Sequence, residues 1–385
     1  MSTADSQNLS IKQLLSVMQK RDASDLYITN GMPPSYRING TVHALKQPAL
    51  TASQCEKLAS SCMNERQRAS FAAEYEMNLA LSFPDVGRFR VNIFRQRGSI
   101  GMVIRKVNLH IPTIDELDLP EIFKDISMQS RGLVLLVGAS GSGKSTSLAA
   151  MIDWRNSNQA GHIISIEDPI EFIHEHKKSV ITQREVGSDT LEYKAALKNT
   201  LRQAPDVILI GEIRDRETME HALTFAETGH LCLATLHANN ANQALERIIN
   251  FFPEDMHPQV GLNLALNLKA ILSQRLVKMP NDARLPAIEI LINTPRISDL
   301  IGNWKVAEIK EAMGAGKNYG MQTFDQALLH LWMDGQITEE EALRHADSVN
   351  NLRLQIKMVN LKDSGGDDHD LNQLSDSMGT RDLSI

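Results

Sequence analysis

The apolar positions change period along the chain, and those changes divide it. Behind Ser10, residues Ile11, Leu14, Leu15 and Met18 recur at helical spacing, which predicts a serine-capped amphipathic helix over 10–20. Asp25-Leu-Tyr-Ile-Thr and Tyr36-Arg-Ile-Asn-Gly40 flank a Gly31-Met-Pro-Pro turn and read as a strand pair joined by a Gly/Pro loop. Helical spacing returns over 51–73, and strand alternation follows over 77–83, 88–94 and 101–107. Residues 1–109 therefore read as a small α+β domain.

Ile111-Pro-Thr marks a linker over 110–113. Beyond it, Gly132-Leu-Val-Leu-Leu-Val-Gly138 is an unbroken apolar run of the kind found in parallel strands buried on both faces. Further runs over 162–166, 207–210 and 231–235 alternate with helical segments, which predicts a parallel α/β sheet. From Pro258 to about Asn360 the pattern reads as mainly helical, so 114–360 is expected to form one α/β core with a helical C-terminal part. The last stretch, 361–385, holds six Asp against one Lys and one Arg, with a Gly365-Gly366 pair, and is expected to be a disordered acidic tail.

Composition narrows the classes. A chain of 385 residues suits two domains with extras. The 42% apolar and 23% charged content is that of an ordinary folded protein. A formal charge of −7 argues against bulk nucleic-acid binding, which needs a basic surplus or a basic face. Cys55, Cys62 and Cys232 lack C-x-x-C spacing and read as buried or idle thiols. Residues 1–10 are polar and no run of ~18 apolar residues occurs, so the expected location is the cytoplasm.

Four constellations carry chemistry. Gly138-Ala139-Ser140-Gly141-Ser142-Gly143-Lys144-Ser145-Thr146 satisfies G-x-x-x-x-G-K-[ST] between a buried strand and a helix. In that setting backbone N–H groups close around a β-phosphate, Lys144 offsets β/γ charge and the Ser145 hydroxyl ligates Mg²⁺, so ATP and Mg²⁺ are the expected cofactors. Ile164-Ser-Ile-Glu167-Asp168-Pro169-Ile-Glu171 ends a strand in three carboxylates that can take a proton from water or hold Mg²⁺ through its waters. Asp206-Val-Ile-Leu-Ile-Gly-Glu212-Ile-Arg214-Asp215 has the form of a Walker B strand with Glu212 as its terminal acid. Glu227-Thr-Gly-His230 and Leu236-His237 bracket a core strand with two histidines, suited either to sensing phosphate or to coupling neighbouring subunits. Arg88, Arg90, Arg95, Arg97 and Arg105 add guanidiniums to the first domain. They form either a solvated basic face or donors to a γ-phosphate across a cleft.

In this order and spacing the four boxes resemble those of the secretion and type IV pilus ATPases. The likeness runs from Ser24 to about Asn350. It includes Ser24-Asp-Leu-Tyr-Ile and Pro33-Pro-Ser-Tyr-Arg-Ile-Asn-Gly in the first domain. Near the end, Gly320-Met-Gln-Thr-Phe-Asp-Gln-Ala-Leu is similar to the retraction branch. The resemblance implies a PAS-like N-terminal domain and a RecA-like P-loop core. It implies a homo-hexamer with ATP held between a core and neighbouring N-terminal domains, hydrolysing ATP to power or assist pilus retraction and twitching motility. It further implies Glu171 as catalytic glutamate, Glu212 as Walker B acid and metal-site residue with Ser145, His230 and His237 as the histidine-box pair, and Arg90 and Arg105 as arginines that approach the γ-phosphate. The implied partners are an inner-membrane platform protein and a paralogous retraction ATPase, with no nucleic acid. Where the principal retraction ATPases carry A-I-R-N-L-I-R-E, this chain has Arg296-Ile-Ser298-Asp-Leu-Ile-Gly302-Asn303, which makes it similar to accessory paralogues. Extension or secretion ATPases are the alternative within the family, although these typically insert a four-cysteine module. Outside the retraction reading stand a RecA-like nucleic-acid motor and a nucleotide-binding assembly factor with little turnover.

Overall fold

The computed structural model describes residues 9–107 and 110–363. The tail expected over 361–385 lies outside them except for its first three positions, which end the last helix. The chain divides into two compact units: Met1–His110 with Glu171–Ile173 and Gly187–Leu191, and Ile111–Ile170 with His174–Val186 and Glu192–Ile385.

The first unit contains α1 (Ile11–Lys20), β1 (Asp25–Ile28), β2 (Ser35–Ile38), β3 (Thr41–Ala44), α2 (Ala52–Cys62), α3 (Glu65–Glu74), β4 (Glu76–Phe83), β5 (Gly87–Gln96) and β6 (Ser99–Val107). Its strands form one antiparallel sheet in the order β3-β2-β1-β6-β5-β4. Leu26, Phe89, Val91, Ile93, Met102 and Ile104 are buried on one face with Leu15 and Met18 of α1 and Leu58 of α2. Alternation sends Asp25, Arg37, Arg90 and Arg105 to the other face. The expected helix over 51–73 is two helices. Asn64 interrupts it as the N-cap of α3, in a capping box with Gln67.

The second unit contains α4 (Ile122–Ser127), β7 (Gly132–Val137), α5 (Lys144–Asn158), β8 (His162–Glu167), β9 (Val180–Glu185), α6 (Tyr193–Thr200), β10 (Val207–Ile210), α7 (Arg216–Glu227), β11 (Leu231–Leu236), α8 (Ala241–Ile249) and α9 (His257–Asn267). After these come β12 (Leu268–Lys278), β13 (Arg284–Ile292), α10 (Pro295–Gly302), α11 (Val306–Gly314), α12 (Phe324–Met333), α13 (Glu339–His345) and α14 (Val349–Asp363). The sheet order is β13-β12-β7-β11-β10-β8-β9. All neighbours are parallel except β12 and β13. All six residues of β7 and of β11 are buried, because helices cover both faces of the sheet.

The expectation of a mainly helical stretch from Pro258 is corrected here, since β12 and β13 add two long strands and an antiparallel edge to a sheet expected to be parallel. The helix α9 passes into β12 at Leu268 with no glycine or proline between them, and β12 buries Ala270, Ile271, Leu272, Ser273 and Gln274 in succession. A strand buried on both faces has no period of two to reveal it. β9 escaped detection for the opposite reason, since Thr182, Gln183 and Arg184 make its middle polar. The three thiols are buried, and burial pushes Cys62 up to about 11.

Glu289 of β13 lies 2% exposed, its Oε1 accepting hydrogen bonds from the Ala241 N–H (2.7 Å) and the Ser273 hydroxyl (2.8 Å). Burial raises its pKa from 4.5 to about 7 against the pull of those bonds. The folded chain therefore holds a proton that the unfolded chain releases as pH rises between these values, and stability falls through that window. Glu289→Gln retains an acceptor oxygen for both donors and carries no charge. It should raise the thermal midpoint at pH 8 and lose that advantage at pH 4.5, as read by calorimetry at the two pH values.

Candidate nucleotide site

The second unit gathers its chemistry at the C-terminal edge of its parallel strands, where open α/β sheets bind ligands. Register makes this explicit: Val137 pairs with Leu236, Ile210 with both Ala234 and Ile166. The residues that follow these strand ends are the Gly138 loop, His237, Gly211-Glu212 and Glu167.

The loop from Gly138 to Gly143 delivers the chain into α5. Gly143 occupies the N-cap at φ +89° with no side-chain cap, so helix geometry leaves the first-turn N–H groups without intrahelical acceptors. Such a terminus attracts anions. The Lys144 ammonium donates to the carbonyls of Gly138 (2.8 Å) and Ala139 (2.9 Å) and is 8% exposed. Among the described residues, no partner is found for the buried Ser142 hydroxyl. Beside the loop lies a cleft of about 800 Å³ lined by Ala139, Ser140, Gly141, Ser142, Arg275 and Leu276 among others. Donors at the loop and volume beside it suit a nucleoside polyphosphate.

The floor of the loop is Gln274 of β12, a residue the sequence did not single out. Its side chain accepts a hydrogen bond from the Ser147 hydroxyl (2.7 Å). A Cβ on Gly138 would stand 2.5 Å from the Gln274 carbonyl, and one on Gly143 would stand 2.8 Å from Gln274 Nε2. Only glycine at these positions lets loop and strand approach so closely.

Glu212 is 18% exposed and engaged on both oxygens. Oε1 lies 3.1 Å from His237 Nε2, and Oε2 accepts from Arg214 Nε at 2.7 Å. Arg214 Nη1 lies 3.5 Å from Asp168 Oδ2, tying the ends of β10 and β8 together. Glu167 accepts from the Ser165 hydroxyl at 2.6 Å. Burial and then Asp168, with Arg214 opposing, raise the Tyr193 phenol well above its ordinary value. Arg214 was legible as a basic residue after the Walker B strand, but nothing in the sequence assigned it to Glu212.

His230 does not join this group. It precedes β11, its carbonyl accepts from the Gly132 N–H (3.0 Å) and its Nδ1 sits beside the Thr228 hydroxyl (3.0 Å). A six-residue strand separates it from His237, about 20 Å at ~3.3 Å per residue. The structure thus does not bring His230 together with His237, Glu212 and the loop.

In the first unit Arg90 and Arg105 are direct cross-strand neighbours of β5 and β6. Glu171, grouped with that unit, places Oε1 3.3 Å from Arg90 Nη2.

Residues 3–320 match the family Type II/IV secretion system protein. The chain belongs to that family. Among its relatives are two proteins of Pseudomonas aeruginosa. The type IV pilus ATPase PilU is 56% identical over 92% of this chain and 94% of its own length. The type IV pilus retraction ATPase PilT is 43% identical over 89% of this chain and its full length. A crystal structure of the pilus retraction motor PilT with bound ADP superposes with a TM-score of 0.84 at 40% identity, covering 90% of this chain and 99% of that one. As a secretion-family ATPase the chain has the RecA-like P-loop core expected of it, and among the described residues no helix is long and apolar enough to cross a membrane.

The contact between loop and β12 has a measurable consequence. Gly143→Ala forces an L-residue to φ +89° against Gln274, a strain of about 1–3 kcal/mol that corresponds to a roughly 5- to 150-fold loss of ATP affinity if carried into the bound state. Fluorescent-nucleotide titration should show that loss with the far-ultraviolet circular dichroism unchanged.

Proposed function

We propose that this secretion-family ATPase is a ring motor subunit that splits ATP to reinforce type IV pilus retraction beside a principal retraction ATPase. The observation that carries the reading is one sheet edge joining a P-loop with a buried lysine to a Walker B glutamate held by a histidine and an arginine. The α5 terminus and loop N–H groups receive the phosphates, and Lys144 exchanges its carbonyl acceptors for β/γ oxygens. Mg²⁺ would be held by the Ser145 hydroxyl and, through water, by Glu212, whose two oxygens are already engaged by His237 and Arg214, and it would offset charge on the phosphates. Glu171 accepts the proton of the attacking water. Arg90 and Arg105 come from the first unit of a neighbouring subunit and stabilise the charge spreading over the γ-phosphate. His237 reports the state of Glu212 along β11, and His230 at the far end passes it to the next subunit. The assembly is a homo-hexamer on the cytoplasmic face of the inner membrane, working against a platform protein and a paralogue.

The accessory role rests on α10 together with the likeness to PilU. Arg296 pairs with Glu308 (3.1 Å) and lies 3.9 Å from Asp299, so this guanidinium is engaged within its own subunit. Ser298 and Gly302 stand where the resemblance places partner-facing arginines, which removes charge-assisted contacts from that surface.

Lys144→Ala should abolish phosphate release without unfolding the chain, and Glu171→Gln should suppress turnover while keeping ATP binding. Full turnover in the first variant, or lost affinity in the second, would reassign those residues. In cells lacking the principal ATPase, this chain alone should fail to retract pili. With both present it should raise retraction force, measured by micropillar deflection, and lose that effect on Lys144→Ala.

A further inference from the structure

The polar face of the first unit contains a residue that the retraction reading does not use. Register across the sheet aligns Arg90 of β5, Arg105 of β6, Asp25 of β1 and Arg37 of β2 in one row, each directly opposite the next. Residues paired in this way stand on the same face. Asp25 is 3% exposed although it lies on the face away from the core. An ionised carboxylate stays in such a place only when charged or hydrogen-bonding groups surround it.

Its partners show what holds it. Oδ1 accepts from Arg105 Nε at 2.8 Å. Oδ2 accepts from the Ser24 hydroxyl at 2.8 Å and lies 3.8 Å from Arg37 Nε. Arg105 is thus anchored through Nε, the nitrogen nearest the side-chain stem, whereas Arg37 faces the other carboxylate oxygen at ion-pair distance, its Nε making no hydrogen bond among the described residues. The Arg105 stem is fixed by that bond while its tip projects, its side chain being 63% exposed; that of Arg37 is 43% exposed. Arg37 is further constrained by the Tyr27 ring, 5.5 Å from its guanidinium carbon. An anion arriving at this face meets the Arg105 guanidinium already oriented, so less side-chain freedom is lost on its capture, while Arg90 would exchange the Glu171 carboxylate for it.

We propose that Asp25 is a positioning residue whose carboxylate presents Arg105 and Arg37 as parts of one phosphate-facing row with Arg90, the phosphate being the terminal group of a nucleotide held by a neighbouring copy. This rests on the ring reading above and adds to it a third arginine and the acid that orients the row. Lysine at position 105 cannot serve, because it has no Nε to anchor, and lysine at either position has no planar fork to aim. Asp25 is buried behind the row and bonded to Arg105 and Ser24, so its effect reaches the reaction through the arginines.

The test is steady-state ATPase kinetics on the full chain, with thermal midpoint and ring mass measured alongside. Asp25→Asn should lower kcat by about 5- to 30-fold with KM for ATP within about twofold, and leave the midpoint and ring mass unchanged. On an Arg105→Ala background the same change should cost less than about twofold more, because residues acting as a unit do not add. Arg37→Ala should lower kcat, and Arg37→Lys should not restore it. Should Asp25→Asn fail to fold, Ser24→Ala keeps the charge but loosens the carboxylate. It should then produce a smaller kcat loss that vanishes on the Arg105→Ala background. Unchanged kcat in Asp25→Asn, losses that multiply in the double variant, or kcat falling in step with the thermal midpoint would each overturn the proposal. If Arg105→Ala alone costs nothing, the positioning role falls, while trans-acting catalysis by Arg90 is judged separately in mixed rings.

Discussion

The packing of β12 beneath the phosphate loop is the constraint on which the rest of the second unit depends. β7 can end at the sheet edge and turn into α5 only if its neighbour lets the loop descend, and Gln274 sets that depth through its backbone oxygen and side-chain amide. Glycines at 138 and 143 follow from this contact as much as from any need to admit phosphate. Burial on both sheet faces then holds β7, β11, β10 and β8 in parallel register, so that Lys144, His237, Glu212 and Glu167 all emerge at one edge. The site is thus a product of strand length and order, with side chains added at the ends.

Chemistry was more legible in the sequence than architecture, and the reason is physical. A glycine-rich loop and a strand-terminal acid must keep short, fixed spacings, so their residues stand together in the chain. Gln274 and Arg214 act through contacts made in space, the first with Ser147, 127 residues away, and no local pattern announces them. β12 and β13 were hidden because full burial erases alternation, while β9 was hidden because its middle is polar. The histidine pair does bracket β11, yet bracketing a strand separates two residues, and only the strand's length shows how far His230 stands from His237.

The two units divide the work by the character of their open surfaces. The second offers backbone donors, a lysine and acids at one sheet edge, a set suited to a polyphosphate. The first has an apolar face spent on its own core and a polar face carrying Arg37 and Arg105 about one buried acid, with Arg90 beside Glu171. Guanidiniums so placed suit charge that appears during phosphoryl transfer, and their location on a separate compact unit allows hydrolysis to depend on how subunits meet.

The central claim is therefore that each working site combines the P-loop of one subunit with the arginines of another. Rings assembled from equal parts Lys144→Ala and Arg90→Ala subunits test it most directly. Random assembly leaves about one quarter of the interfaces with both an intact lysine and an intact arginine. Two individually inactive proteins should recover roughly that fraction of wild-type phosphate release when mixed under conditions that allow subunit exchange. No recovery in mass-verified mixed rings would mean that lysine and arginine serve within one chain, and would contradict the account.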